Sequence, residues 1–155
     1  MITIDDLAKS ILSLQDRVNQ ISSSTKIKQF EDFFVYSWEA TIPALSASVP
    51  ISVTILADSN FYAVKGIGSI FANVAARTPV DFQDIVVTVN DSGSGRNLQD
   101  KPVSLRHFFG HPQEPLFFEP YKLFVANSTV SVTFSNLSNA DAIVRASMVG
   151  YKAYR

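Results

Sequence analysis

The sequence predicts a mainly β protein, an antiparallel β-sandwich preceded by a short amphipathic helix. Apolar and polar residues alternate in several short runs, as they do in strands that bury one face. Clusters of glycine, proline, asparagine and serine separate these runs and indicate turns. A heptad pattern near the N-terminus indicates the helix and suggests a coiled-coil-like contact. Because about eight strands are expected, the sandwich is predicted to be a jelly roll.

The N-terminal helix is predicted over about residues 4–21. Apolar residues recur there at alternating steps of three and four, which places them on one stripe of a helix. The stripe consists of Ile4, Leu7, Ile11, Leu14, Val18 and Ile21. Thr3 and Asp6 supply a helix start signal. Because so short a helix is marginal alone, we expect it to pack on its own domain or to act as an oligomerisation or docking helix.

A serine-rich run, Ser22–Thr25, separates the helix from the β-structure, so residues 1–25 and 26–155 are the two expected parts of the chain. Strands are predicted over Phe33–Ile42, Ile51–Ile55, Phe61–Ala75, Ile85–Val89, Val103–Phe109, Leu116–Val125, Val130–Phe134 and Ile143–Tyr154. Gly66 and Gly68 mark a bulge or a strand pair within the third run. The predicted core includes Val53, Ile55, Val87, Val89, Val132, Phe134 and Val144.

The amino-acid composition of the chain narrows the classes of partner that we expect it to bind. The formal net charge is −1, which offers no general field to attract nucleic acid or anionic lipid. Charged residues make up 17% of the chain, against about 25% in typical proteins, which favours an oligomer. Cysteine is absent, so disulfides and thiolate chemistry are excluded. Asp5 and Asp6 stand where a signal peptide needs positive charge, and no run is long enough for a membrane span. A soluble protein made in a cytoplasm is therefore expected.

The two histidines, His107 and His111, are the first candidates for a metal site. A histidine pair at this spacing binds zinc when a helix presents both on one face, but Gly110 and Pro112 argue against a helix. In a strand the two positions would lie about 13 Å apart, too far for shared ligation. We expect His107 to be a half-buried strand residue and His111 a loop residue.

Other candidate chemistry is weak as well. The glycine-rich stretch Asp91–Arg96 lacks the lysine and the following helix of a phosphate-binding loop, so a hairpin is expected. No serine lies in a G-x-S-x-G elbow, and Asp81 and Asp84 lack a partner across a cleft. The sequence therefore predicts no catalytic residue, no cofactor and no metal. Trp38 and the five tyrosines could line a sugar-binding groove, although aromatics more often serve cores or interfaces.

The C-terminal half shows a series of short segments in a distinctive order. They are Asp91–Gln99, Pro102-Val103, Phe109-Gly110, Leu116–Pro120, Leu123–Thr129, Phe134–Leu137 and Gly150–Lys152. This order, over roughly Asn90–Lys152, resembles a group of small virion proteins of tailed bacteriophages. Those proteins share a glycine-rich turn ending in arginine, a strand entry with asparagine and serine, an asparagine-leucine turn and a terminal Gly-Tyr-Lys.

The resemblance implies a jelly-roll sandwich on the capsid or near the head–tail region, with capsid cement (decoration) proteins as the closest analogy. The expected partners are the major capsid protein or other virion proteins and further copies of the chain, as a dimer or trimer. Assembly would take place in the host cytoplasm. A neck, tail or fibre-base protein and a carbohydrate-binding sandwich that contacts host glycans are the alternatives. An enzyme is the least favoured class.

Overall fold

The computed structural model describes residues 32–72 and 81–154, together with Gln15. The strands are β1 Asp32–Ile42, β2 Val49–Thr54, β3 Ser59–Ala72, β4 Ile85–Asp91, β5 Arg96–Asn97, β6 Val103–Ser104, β7 Gly110–His111, β8 Glu114–Phe124, β9 Thr129–Asn136 and β10 Ala142–Tyr154, and one short helix, α1, is Leu105–Phe109. The predicted stripe from Ile4 to Ile21 and the predicted division after Thr25 lie outside the described residues.

The strands form two antiparallel sheets that pack on each other. Sheet A has the order β1-β10-β3-β8-β7, and sheet B has the order β2-β9-β4-β5, with β6 also paired to β4. The long strands β1, β3 and β10 pair along most of their length and make sheet A the more extensive sheet. The prediction of a mainly β protein built as an antiparallel sandwich is thus confirmed for the described residues.

The core lies between the sheets and consists of the inward residues of alternating strands. In β4, Ile85, Val87 and Val89 are fully buried while the residues between them are only partly buried, as expected when one strand face packs on the opposite sheet. Six of the seven predicted core residues are buried, and Val53 is partly buried against the core. The hydrophobic pattern was therefore sufficient to identify these core positions, whereas buried residues such as Trp38, Phe61 and Phe124 were not among those predicted.

The helix α1 is the clearest departure from the sequence prediction, because a strand was expected over all of Val103–Phe109. Ser104 caps the helix by accepting a hydrogen bond from the His107 backbone N at 3.4 Å, and this cap supplies a helix start. Leu105 and Phe109, four residues apart, are both buried, which one face of a helix allows. The expectation for His107 was therefore wrong, since it is an exposed helical residue.

Three further structural details differ from the prediction. His111 is a half-buried residue of β7 rather than a loop residue. Strand β3 is continuous through Gly66 and Gly68, which pair regularly with Met148 and Ala146, and its register shift lies earlier, between Ala63 and Lys65, so the glycines mark neither a strand pair nor the bulge itself. Strand β4 continues to Asp91 and pairs with β5, so the turn is confined to residues 92–95 of the predicted hairpin.

The asparagine-leucine turn of the resemblance has a structural explanation. Asn136 is 1% exposed, and its side-chain amide donates to the Ala140 carbonyl at 2.8 Å. Its side-chain oxygen accepts from the Ser138 backbone N at 2.9 Å. A buried polar side chain must have such partners, so Asn136 holds the turn between β9 and β10 in one conformation.

Candidate functional site

The outer face of sheet A carries a row of exposed aromatic side chains. In the register of the sheet, Phe33 of β1 lies opposite Tyr151 of β10, and Phe117 of β8 lies opposite Lys65 of β3. Directly opposed residues share one face of a sheet. Four neighbouring strands therefore bring these side chains together on a surface that faces away from the core.

These side chains line a groove of about 230 Å³, called here the aromatic groove. Its lining residues are Phe33, Val64, Lys65, Phe117, Val149, Gly150 and Tyr151. Phe33 is 64% exposed, Phe117 58% and Tyr151 42%. The rings of Phe33 and Tyr151 pack edge to face with centroids 6.2 Å apart. A contiguous exposed apolar surface of this kind marks an interaction site.

Tyr121 extends the exposed aromatic surface along β8. The register shift between Ala63 and Lys65 leaves residues 118–121 as a bulge in β8. Tyr121 is 51% exposed, and its ring packs edge to face on that of Tyr62 with centroids 5.0 Å apart. Since Tyr62 lies opposite Tyr151 in the register, the bulge places Tyr121 on the same side of the sheet as the aromatic groove.

The other half of this face is polar. The hydroxyls of Ser37 and Ser147 form a hydrogen bond at 2.9 Å. Arg145 Nε donates to the Glu39 carboxylate at 2.6 Å, and its guanidinium lies 5.6 Å from the ring centroid of Phe71. An apolar centre beside polar and ionic groups is the usual composition of a surface that binds another protein.

A second opening, called here the lateral cleft, lies between β8 and the β4–β5 hairpin. Lys122 Nζ forms an ion pair with Asp91 Oδ2 at 3.2 Å, and Asp91 Oδ1 accepts from the Gly93 backbone N at 2.9 Å. Cavities of about 300 and 190 Å³ flank Lys122, the second lined by Leu98, Phe108 and Phe118. Because the pair neutralises both charges, the cleft offers no net charge to a ligand, and the pair joins β8 of sheet A to β4 of sheet B.

We expect Asp91→Asn to lower the free energy of unfolding by roughly 1–2 kcal/mol. Removing one partner of a buried ion pair costs about 3–5 kcal/mol, but the Lys122 side chain is 31% exposed and can return to water. Urea unfolding followed by the fluorescence of Trp38 measures the loss. Glu39→Gln, in the half-exposed Glu39–Arg145 pair, is the matched control and should change stability by less than about 0.5 kcal/mol. Equal effects of the two variants would contradict a structural role for Asp91.

Of the residues that the sequence offered for catalysis or metal binding, the two histidines lie on different elements, and Asp81 and Asp84 lie in one turn before β4, where the Asp84 backbone N donates to the Asp81 carbonyl. His107 lies on α1, while the ring of His111 packs on that of Phe82 with centroids 5.0 Å apart. Among residues 32–72 and 81–154, the structure shows no group of three or more histidine, aspartate or glutamate residues placed to hold a metal ion. The stretch Asp91–Arg96 is a hairpin connection, as expected.

Trp38 and Tyr36 do not belong to a surface groove, so the sugar-groove hypothesis is wrong for these two aromatics. Trp38 is 1% exposed, and its Nε1 donates to the Val130 carbonyl of sheet B at 3.0 Å. Burial is the main cause that raises the pKa of the Tyr36 hydroxyl, which accepts a hydrogen bond from the Leu56 backbone N. The rings that line the aromatic groove come instead from Phe33, Phe117 and Tyr151. Strand alternation alone predicts that these rings point outward, but only the pairing register of the strands shows that they lie close together.

Comparison with known proteins does not place the chain in a family. No protein-family model matches the sequence, and no curated protein sequence is significantly similar to it. Within the described part of the chain, no helix is long and apolar enough to cross a membrane.

Proposed function

We propose that this protein is a structural component of a virus particle, of the capsid cement (decoration) type, that acts through protein–protein contacts. The observation that carries the proposal is the exposed aromatic groove on the outer face of sheet A. A rigid sandwich with one apolar docking face suits a subunit whose task is to hold neighbouring proteins together. The net charge of −1 fits contacts with protein rather than with packaged nucleic acid.

We also propose that the sandwich is a jelly roll, and the strand order supports this. The paths β1-β10-β3-β8 and β2-β9-β4-β5 are two sets of four antiparallel strands. Along the chain, β1, β2, β3 and β4 alternate between the sheets, β4 and β5 form a hairpin within sheet B, and β8, β9 and β10 alternate again. Eight strands in two such sheets are the jelly-roll arrangement, which is common in viral capsid and lectin domains.

Counting the copies of the protein in purified particles tests the proposal. A cement protein covers the capsid surface and is expected in hundreds of copies, on the order of the number of capsid subunits, whereas a neck, tail or fibre-base protein occurs in few. Quantitative mass spectrometry against the major capsid protein measures the ratio. A low ratio would favour the neck, tail or fibre-base alternative, and absence from particles would contradict a virion role altogether.

A variant of the groove tests whether the aromatic face is the docking face. Phe117→Asp places a charge in the groove and is expected to lower occupancy on particles that lack the protein at least about tenfold, the effect of losing a buried aromatic anchor. Leu137→Asp is the control, because Leu137 is 61% exposed and lies in the turn after β9 rather than on sheet A. Sedimentation of particles with bound protein gives the occupancy. Equal binding of both variants would exclude the groove.

Glycan binding is the second candidate function, and the exposed tyrosines favour it. Tyr121, Tyr151 and Tyr154 combine ring faces with hydroxyl groups at the surface, and lectins also use the jelly roll. Binding to immobilised host glycans, lost in Tyr121→Ala and Tyr151→Ala but kept in Leu137→Asp, would support it. The two phenylalanines of the groove, which cannot hydrogen-bond sugar hydroxyls, are the reason that a protein partner is preferred.

A further inference from the structure

We propose that the aromatic groove of one copy binds the N-terminal apolar stripe of a second copy. The stripe is Ile4, Leu7, Ile11, Leu14, Val18 and Ile21. This inference rests on the proposed function, in which the groove is a protein-docking face, and it names the partner as another molecule of this chain. Such an exchange would link copies into clusters on the surface that they cover.

Within the described part of the chain, the rings of the groove remain exposed and can take a further cover. Phe33 and Phe117 are 64% and 58% exposed in one molecule, and exposed rings of this size are typical of a surface that becomes buried on association. The groove volume of about 230 Å³ lies below the roughly 300–1,000 Å³ of small-molecule sites. The groove is therefore better suited to side chains of a protein than to a cofactor or metabolite.

The stripe is the matching apolar surface that every copy supplies. Its residues follow the i, i+3, i+4, i+7 spacing by which an amphipathic helix lays one face into an apolar groove. Aliphatic side chains make the stripe, and aromatic rings with Val64 and Val149 make the groove, so the two surfaces share their chemistry. A helix of the predicted length is marginal in water and is stabilised by packing on an apolar surface.

The position of the groove allows exchange between copies. Phe33 is the second residue of β1, so the N-terminal segment of each copy joins the sandwich at the rim of that copy's own groove. Residues 22–31 connect the stripe to β1 and can span up to about 35 Å when extended, more than the roughly 15 Å across the four strands of the groove. A stripe can therefore reach a neighbouring molecule. Because stripe and groove are different surfaces, the contact is reciprocal between two copies or continues head to tail, and a head-to-tail series closes as a ring only where the rotation between copies allows it.

Disulfide trapping tests the contact directly, since the chain contains no cysteine. Leu14→Cys marks the stripe, and Lys65→Cys marks the groove. Thr41→Cys is the control, because Thr41 is exposed on the same face of β1 but lies eight residues, or about 26 Å, along the strand from Phe33. One variant of each mixed pair carries an affinity tag, and oxidised mixtures of the full-length proteins are separated on non-reducing gels.

A disulfide between Leu14→Cys and Lys65→Cys chains, formed about tenfold more efficiently than with Thr41→Cys, is the expected result. Adding Ile11→Asp to the Leu14→Cys chain should abolish it, because a charge would enter the apolar contact. Crosslinks that join two Leu14→Cys chains would show a stripe-to-stripe coiled coil and overturn the proposal. A double variant, Leu14→Cys with Lys65→Cys, that yields only internally linked monomers would show that the stripe covers its own groove, which also overturns it.

The trapping experiment contains no particles, so its outcome is separate from that of particle attachment. If the crosslink is absent while Phe117→Asp still lowers occupancy on particles, a second copy is not the partner of the groove, but the proposal that the groove is a docking face is retained. If the crosslink forms and the protein is absent from particles, self-association is correct and the virion role fails.

Discussion

Trp38→Ala is expected to lower the free energy of unfolding by about 4 kcal/mol, within the range for large-to-small changes at fully buried aromatics. Trp38 is 1% exposed in β1, and its ring lies 6.3 Å, centroid to centroid, from that of Phe109 in α1. The indole N–H donates to the Val130 carbonyl in the opposite sheet. The substitution thus leaves a cavity between the sheets and a buried carbonyl without its donor.

Urea unfolding followed by far-UV circular dichroism measures this loss, because Trp38 is the only tryptophan and its fluorescence disappears with it. Trp38→Phe is the graded control, since it keeps an apolar ring and removes the hydrogen bond, and it should cost less than the alanine variant. Ser37→Ala, at the neighbouring exposed position, should change stability by less than about 0.5 kcal/mol. A loss below about 1.5 kcal/mol for Trp38→Ala would contradict its place in the core.

Gly150→Ala is expected to cost about 3 kcal/mol, the upper part of the usual range for overpacking. Gly150 lies where the β10–β3 register shifts. A Cβ added at this residue would collide with the backbone carbonyl oxygen of Tyr62 and come within 2.9 Å of the Ala63 Cα. These are backbone atoms in the middle of sheet A, so relief requires β10 and β3 to separate.

Gly95→Ala separates this collision from the general cost of replacing glycine. Gly95 has a φ of +68°, and an added Cβ would meet no atom within 4 Å, so only backbone strain of about 1 kcal/mol is expected. Trp38 fluorescence during urea unfolding compares the two variants. Because Gly150 also lines the aromatic groove, Gly150→Ala should weaken binding in the groove as well. Equal stability of the two alanine variants would show that β10 and β3 are less closely packed.

Both expected losses fall on residues that join the scaffold to the face of sheet A that carries the aromatic groove. Trp38 holds β1 against sheet B, and β1 carries Phe33 on its opposite side. Gly150 allows β10 to approach β3, and this approach brings Tyr151 and Lys65 into one groove. A rigid scaffold is what allows exposed rings to hold a fixed arrangement instead of collapsing on one another.

The sequence alone determined the class of fold and part of the core. Alternation of period two identified Ile85–Val89 and Val130–Phe134 as strands with one buried face, because a pleated strand directs successive side chains to opposite faces. The glycine-rich hairpin after Asp91 and the turn at Asn136 were also predicted, since their residues encode local backbone conformations. Local signals of this kind depend only on neighbouring residues and not on contacts between distant parts of the chain.

The tertiary structure alone decided the helix α1 and the aromatic groove. The segment Leu105–Phe109 is too short for periodicity to separate helix from strand, and burial of Leu105 and Phe109 under the sheets settled it. The groove joins Phe33, Phe117 and Tyr151, which are far apart in the chain and meet only through the pairing of β1, β10, β3 and β8. Strand order and register are set by the packing of the whole core, so a surface assembled across four strands cannot be read from any one of them.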